Sequence, residues 1–549
     1  MIEIIRKYNK KFLFSLLLNI IFFKLCYLLC YCKWRTNDDV FIKLIVSGGY
    51  GNPDYHTIFV SSIFGRILSF LYSLINTVPW YEIIQYGLLI YSFSILMNIF
   101  ICDSPIKGLC ILSIIVISFQ AYVRPQFSIT TSIITVSSYI VLYYYLKKNR
   151  KNFYLISGLL LLTFAILIRL KQFLACSTIS VFCMLPLFFE YIKEKKLDRK
   201  FILIVVYSAI ILFSTIGIER IDYSSSEWNR FNQYNYLRSE LIDNGYPDYE
   251  QNEEIYNELG IDENALNLYK NWNFDDQEVL SIENMNALVN IKDRKKFDLN
   301  TCLTFSITFI NYLLTEDCLL CINILLLLSL LVFIFSSKNN KYNIISICCL
   351  IIFTVICFFY VYFVRGSYLN RLSIGYLSVL LLCVLSQIDY IKYENKRVNV
   401  CVLIALFAFF IIHNRQYLRV FNQEKIKFEN DNKEVINTFN KDPEHIYICK
   451  ISSYPNEYDI LFDTTINHDS ANITSFGECD TSSPLKNSIF TRYNIINPYK
   501  DIVNNSKALV VDNDIDSTIE YIRKHYNQKA EYVYINTYNG YNVYSIVSK

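Results

Sequence analysis

Asn343-Ile-Ile-Ser-Ile-Cys-Cys-Leu-Ile-Ile-Phe-Thr-Val-Ile-Cys-Phe-Phe-Tyr-Val-Tyr-Phe-Val364 runs for twenty-two residues without a charge. At about 1.5 Å per helical residue it matches the hydrocarbon core of a bilayer, roughly 30 Å thick. Residues 201–218, 318–335 and 398–413 repeat the pattern. So many such runs cannot all be buried core helices. The whole chain agrees: 53% of its residues are hydrophobic and 18% charged, with a mean hydropathy of +0.28. A soluble chain of 549 residues needs more charge to cover its surface. The expected fold class is an all-α polytopic membrane protein with about eleven transmembrane helices and a small extracytoplasmic α/β domain at the C-terminus. The net charge of +3 sits in short loops between apolar runs and makes no case for nucleic acid as a partner.

The first run, 12–32, follows Arg6, Lys7, Lys10 and Lys11. Its core is too long for a signal peptide, no small-x-small cleavage site follows, and no lipobox precedes Cys30 or Cys32. It reads as a retained first helix. Basic loops at 147–151, 193–200, 338–341 and 392–397 belong in the cytoplasm with the N-terminus. Spans near 12–32, 80–101, 106–122, 126–146, 153–169, 172–190, 201–218, 318–336, 343–364, 371–389 and 398–413 fit that orientation and leave the C-terminus outside. Residues 56–78 are hydrophobic enough to cross, but Arg66 stands in their middle, where a charge is costly. An interfacial helix on the outer leaflet accommodates it. Residues 301–315 read as a membrane-surface or re-entrant segment. The alternative is two further ordinary spans.

Residues 1–413 thus form the transmembrane domain, with outer loops 33–79 and 219–317, and 414–549 form the exported domain. Helices are expected near 227–243 and 262–269, and in the C-terminal domain at 517–525. Strands are expected at 445–451, 508–511, 531–535 and 541–546. The last two flank Asn539-Gly540, a dipeptide favoured in tight hairpin turns. Of seventeen cysteines, Cys449 and Cys479 fall in the exported domain, and whether they pair is left open. No internal repeat is visible, which counts against transporters built from duplicated halves.

Three constellations carry chemistry. Asp38-Asp39 directly follow the first span. A carboxylate at the outer surface can take a proton from a hydroxyl or bind a divalent cation, and like charges side by side raise one pKa. The bland reading is a helix cap. Arg124, Arg169, Lys171, Arg365 and Arg371 all fall at outer helix ends, against the usual charge bias; guanidinium forks suit a lipid phosphate or pyrophosphate. Snorkelling toward headgroups explains any one of them. Residues 223–239 mix Tyr, Trp and Asn, a composition suited to sugars and also to an amphipathic surface helix.

Together, Asp38-Asp39 after the first span, interfacial helices at 40–46 and 57–74, a large loop after the seventh span and an exported end resemble the GT-C superfamily of membrane glycosyltransferases. The stretch with Asn37-Asp38-Asp39, Gly48, Gly49, Pro53-Asp54-Tyr55-His56, Gly65, Leu71-Tyr72 and Pro79-Trp80-Tyr81 is also similar to a group of uncharacterised bacterial membrane proteins. The resemblance implies transfer of a sugar from a polyprenyl-phosphate carrier to a glycan, lipid or protein acceptor on the extracytoplasmic face of the cell membrane. It makes Asp38 or Asp39 the catalytic base. It offers Arg124, Arg169, Lys171, Arg365 and Arg371 as the phosphate grip, with His56 at the acceptor or bracing its own loop. No cofactor is required, and a divalent cation is an option the resemblance leaves open. A surface-polysaccharide polymerase and a non-enzymatic flippase or transporter are the rival readings.

Overall fold

The computed structural model describes residues 2–148, 151–194, 198–292, 298–335, 341–388, 396–455, 461–462 and 471–549. Much of the four basic loops that orient the chain lies outside the described residues. In chain order the helices are α1 (Ile2–Leu29), α2 (Asp38–Ser47), α3 (Ser62–Leu74), α4 (Trp80–Asp103), α5 (Lys107–Val123), α6 (Phe127–Lys147), α7 (Asn152–Ile168), α8 (Leu170–Ser180), α9 (Leu185–Glu194), α10 (Arg199–Asp222), α11 (Ser226–Ile242), α12 (Glu253–Glu258), α13 (Glu263–Lys270) and α14 (Ile282–Ile291). Then follow α15 (Leu299–Thr315), α16 (Asp317–Ile334), α17 (Lys341–Arg365), α18 (Asn370–Ser386), α19 (Lys396–His413), α20 (Gln423–Asn440), α21 (Pro484–Arg492) and α22 (Ile515–His525).

Among the described residues, eight helical stretches are long and apolar enough to cross a membrane: Lys10–Leu29, Trp80–Asp103, Phe127–Lys147, Leu170–Glu194, Arg199–Asp222, Asp317–Ile334, Lys341–Arg365 and Val400–Tyr417. α5, α7 and α18 are shorter apolar helices of 17 residues each, about 25 Å long. α3, with 13 residues, is about 20 Å long and too short to span.

The chain divides into two compact units. The first comprises Met1–Asp39, Trp80–Gly217 and Phe297–Glu424. Its interior is α6, α18 and one face of α4, where Ile133, Val136, Ile140, Leu381 and Leu89 are fully buried. Small polar side chains in these helices return hydrogen bonds to their own backbone, as Thr131 does to Phe127 O at 2.8 Å and Thr135 to Thr131 O at 2.6 Å. That satisfies these two hydroxyls among apolar neighbours. Several helix ends meet at one face of this unit. Lys33 N donates to Val123 O (3.3 Å), Arg35 N to Pro125 O (3.1 Å) and Tyr31 N to Tyr417 O (2.8 Å). His413 Nε2 lies 2.9 Å from Asp317 O.

α15 packs against the last turns of α17 and the residues after it. Phe305 in its first third packs edge-on to Phe359 (5.0 Å), near the end of α17. Seven residues later, Tyr312 stacks on Tyr368 (4.5 Å), just beyond that same end. Its other side is bare and aliphatic, with Leu299, Leu303, Ile307, Ile310 and Leu314 exposed.

The second unit gathers three distant segments, Val40–Pro79, Ile218–Lys296 and Lys425–Lys549. Its sheet holds β1 (Ile446–Cys449), β2 (Ile473–Ser475), β3 (Ala508–Val511), β4 (Ala530–Tyr538) and β5 (Tyr541–Ser548), in the order β2-β1-β3-β5-β4. β1 pairs in parallel with β2 and β3, and β5 antiparallel with β3 and β4. The turn between β4 and β5 places Asn539 at φ 44° and Gly540 at φ 87°, the two positive values a type I′ turn demands. A single core cluster joins Tyr234, Leu241, Tyr269 and Phe274 of the 218–296 segment to Ile446, Val510, Ile519 and Tyr521 of the C-terminal segment.

Candidate functional site

Residues 30–37 connect α1 to α2, so Asp38 and Asp39 open α2 in its first turn. Acidic side chains are stabilised there by the helix dipole. Successive residues on a helix point about 100° apart, and here that separates the pair completely. Asp39 turns inward and is fully buried. Its Oδ1 accepts from Tyr81 OH (2.8 Å), Gln85 Nε2 (3.1 Å) and the backbone N–H of Phe127 (3.1 Å). Thr130 Oγ1 holds Gln85 in place by donating to its Oε1 at 2.8 Å. Burial pushes the Asp39 carboxyl up to about 8, against the three donors and with help from the neighbouring Asp38 charge. Asp39 is therefore mostly neutral at pH 7.

Asp38 turns the other way. Its side chain is 18% exposed, and Oδ2 accepts from Arg371 Nη1 at 2.8 Å. Arg371 stands in the first turn of α18 and is itself 28% exposed. One N–H of its planar fork meets Asp38, and a guanidinium carries five such donors. Arg169 lies 5.3 Å over the ring of Phe127, the residue whose amide supports Asp39. Arg371 is thus the sequence-identified cation that the fold brings to the acidic pair, while Arg169 packs on the Phe127 ring.

The others are placed differently. Arg124 Nη1 donates to Tyr31 O (2.5 Å) and Val123 O (3.2 Å), and its guanidinium stacks on Tyr31 and Tyr417. It caps helix-terminal carbonyls, a structural use of arginine. Arg365 ends α17, where a cation suits the helix C-terminus. Lys171 is exposed in the first turn of α8.

Sequence reasoning missed Arg35. Its Nη2 donates to Gln120 Oε1 (3.2 Å), and Gln120 Nε2 donates to Asn414 Oδ1 (3.3 Å). Its position three residues before Asp38, outside the first span, was the available signal. Trp34 Nε1, Arg35 Nε, Thr36 Oγ1 and Asp39 Oδ2 are all buried and without a hydrogen-bond partner.

His56 belongs to the second unit, where its partners are internal. Nδ1 lies 2.7 Å from Asp54 Oδ1, Nε2 lies 3.3 Å from Asp222 O, and the ring stacks on Trp228 at 4.5 Å. Both ring nitrogens face oxygen atoms. The close turn needs glycine: Gly48 sits at φ 96°, and a Cβ on Gly65 would lie 2.3 Å from Tyr55 O. Arg66 caps the arrangement, stacking 3.7 Å over Tyr55 and pairing with Asp222 at 2.5 Å.

All seventeen cysteines are free thiols, including Cys449 and Cys479, which are buried in one apolar cluster. Among the described residues, no three His, Cys, Asp or Glu side chains converge as a metal site. With Asp38 engaged by Arg371 and Asp39 turned into the interior, the acidic pair does not fit a shared cation. No protein-family model, curated protein or solved structure matches this chain.

Proposed function

We propose that this chain is a membrane glycosyltransferase that moves a sugar from a polyprenyl-phosphate carrier to a glycan, lipid or protein acceptor on the extracytoplasmic face. The observation that carries the reading is the Asp38–Arg371 pair: a reachable carboxylate directly after the first apolar helix, oriented by a cation at the start of another. In this reading the eight long apolar helices and α5, α7 and α18 make eleven crossings, with the N-terminus cytoplasmic and the C-terminus outside. The length of α3 supports its lying in the outer leaflet interface, and the reading places α15 there too.

The acceptor hydroxyl oxygen attacks the anomeric carbon while the bond from that carbon to the phosphate oxygen breaks. The polyprenyl phosphate leaves with the bonding electrons. Asp38 takes the hydroxyl proton, a role commonly worth about 10²–10⁴-fold in rate. Arg371 orients Asp38 and offers its remaining donors to the phosphate as charge develops there, with Arg169 adding positive potential. Asp39, neutral and interior, fixes the start of α2 to Tyr81, Gln85 and Phe127. His56 braces the loop that follows.

The test is the surface-glycan composition of cells expressing the native chain, Asp38→Asn or Asp39→Asn at equal protein level. Loss of a sugar with Asp38→Asn is expected. An unchanged composition removes the glycosyltransferase reading and leaves the surface-polysaccharide polymerase and the flippase or transporter.

A further inference from the structure

The two edges of the sheet in the second unit are built in opposite ways. β2 is three residues long and fully buried. β4, at the other edge, is nine residues long. Tyr532, Val533, Tyr534 and Ile535 are between 41% and 56% exposed, so both faces of the strand are bare as well as its edge. Proteins protect such edges with charge, proline or covering chain, because unpaired N–H and C=O groups template another strand. From Tyr532 to Tyr538 this strand has no charge and no proline. Its one protective device is a bulge at Ile535, between the pairs Tyr534–Tyr544 and Asn536–Val543.

The composition selects the occupant. Tyr532 and Tyr534 share one face and pack edge-on to Tyr544 at 5.3 and 5.9 Å, while Val533 points to the other. An antiparallel copy related by a two-fold axis perpendicular to the sheet sets tyrosines beside tyrosines and valine beside valine. Within the uncharged stretch no register brings like charges opposite, the arrangement that destabilises strand pairs. Glu531 is already engaged with Lys549. We infer that β4 is the interface for a second copy of this chain, joining two five-stranded sheets edge to edge in an isologous dimer.

The test uses the full-length chain extracted in detergent. Native mass and light scattering should give a dimer, and Val533→Lys with Ile535→Lys, at positions already exposed, should shift it to monomer. Val533→Cys, which faces its own copy across the two-fold, should form a disulfide-linked dimer under mild oxidation, while Ile496→Cys, at an exposed position elsewhere in the unit, should not. A monomeric native chain, or a dimer indifferent to both lysines, would overturn the inference.

Discussion

Asp38 and Arg371, 333 positions apart, meet at 2.8 Å, each opening a helix and each partly exposed. The pair joins the start of α2 to the start of α18 and can be reached from solvent, as Asp39 cannot. Asp38→Asn should lower transfer by about 10²-fold or more, and Arg371→Ala by about 10–100-fold, with little change in unfolding temperature for either. Because Arg371 acts both through Asp38 and on the phosphate, the double variant should fall below either single one, but by less than the product of the two losses. Multiplicative losses would mean that the two groups work independently.

Asp39 predicts a stability effect with a definite sign. Its folded-state pKa, about 8, lies above the ordinary value of 3.8. The folded chain therefore keeps a proton that the unfolded chain releases, and the contribution is fully present below about 4. Stability from this group falls as pH rises through the window from about 4 to about 8, then levels. Asp39→Asn should flatten that slope in thermal unfolding between mildly acidic and mildly basic buffers. Asp39→Leu, which leaves Tyr81, Gln85 and the Phe127 amide without an acceptor, should cost about 1–3 kcal/mol per stranded group.

His56→Ala removes the side-chain contacts to Asp54 and Asp222 and the Trp228 stack but keeps the backbone N–H bond to Asp54. A loss of about 1–3 kcal/mol is expected, with activity per folded molecule unchanged. Hydrogen bonds from His56, opposing the effect of burial, hold Asp54 below the usual carboxylate range. Its contribution is therefore present above that range and is lost as pH falls through the lowered value. In the variant, that acid-side dependence should weaken, since the backbone N–H bond to Asp54 remains; a fully folded variant with reduced transfer would instead put His56 at the acceptor.

Lys486 is completely buried, 2.9 Å from Asp275 and 3.6 Å from Asp480, and Tyr50 donates to Asp480. The two carboxylates hold the lysine charged against the cost of burial. Lys486→Met should strand two buried acids and cost about 3–5 kcal/mol. Circular dichroism and protease resistance of residues 425–549 would register the loss.

The apolar runs were legible because a bilayer imposes length and composition on each helix separately. The turn at Asn539-Gly540 was legible because its dihedral demand is local. Which aspartate faces inward was not, since it depends on Tyr81, Gln85 and Phe127, brought in from two other helices. Nor was the capping role of Arg124, whose acceptors include Tyr31 O, 93 positions away. The gathering of 40–79, 218–296 and 425–549 into one unit rests on pairs such as Asp275–Lys486, which no periodicity announces. β2, with three residues, is too short to leave a pattern.

The pool of lipid-linked sugars in the expressing cell probes the role of Asp38 whichever sugar is transferred. Extracted polyprenyl-phosphate sugars would be quantified by mass spectrometry for cells carrying the native chain or Asp38→Asn at matched levels. The account predicts that one such species accumulates when Asp38 is lost, as its consumption stops. Equal pools in the two strains would contradict it.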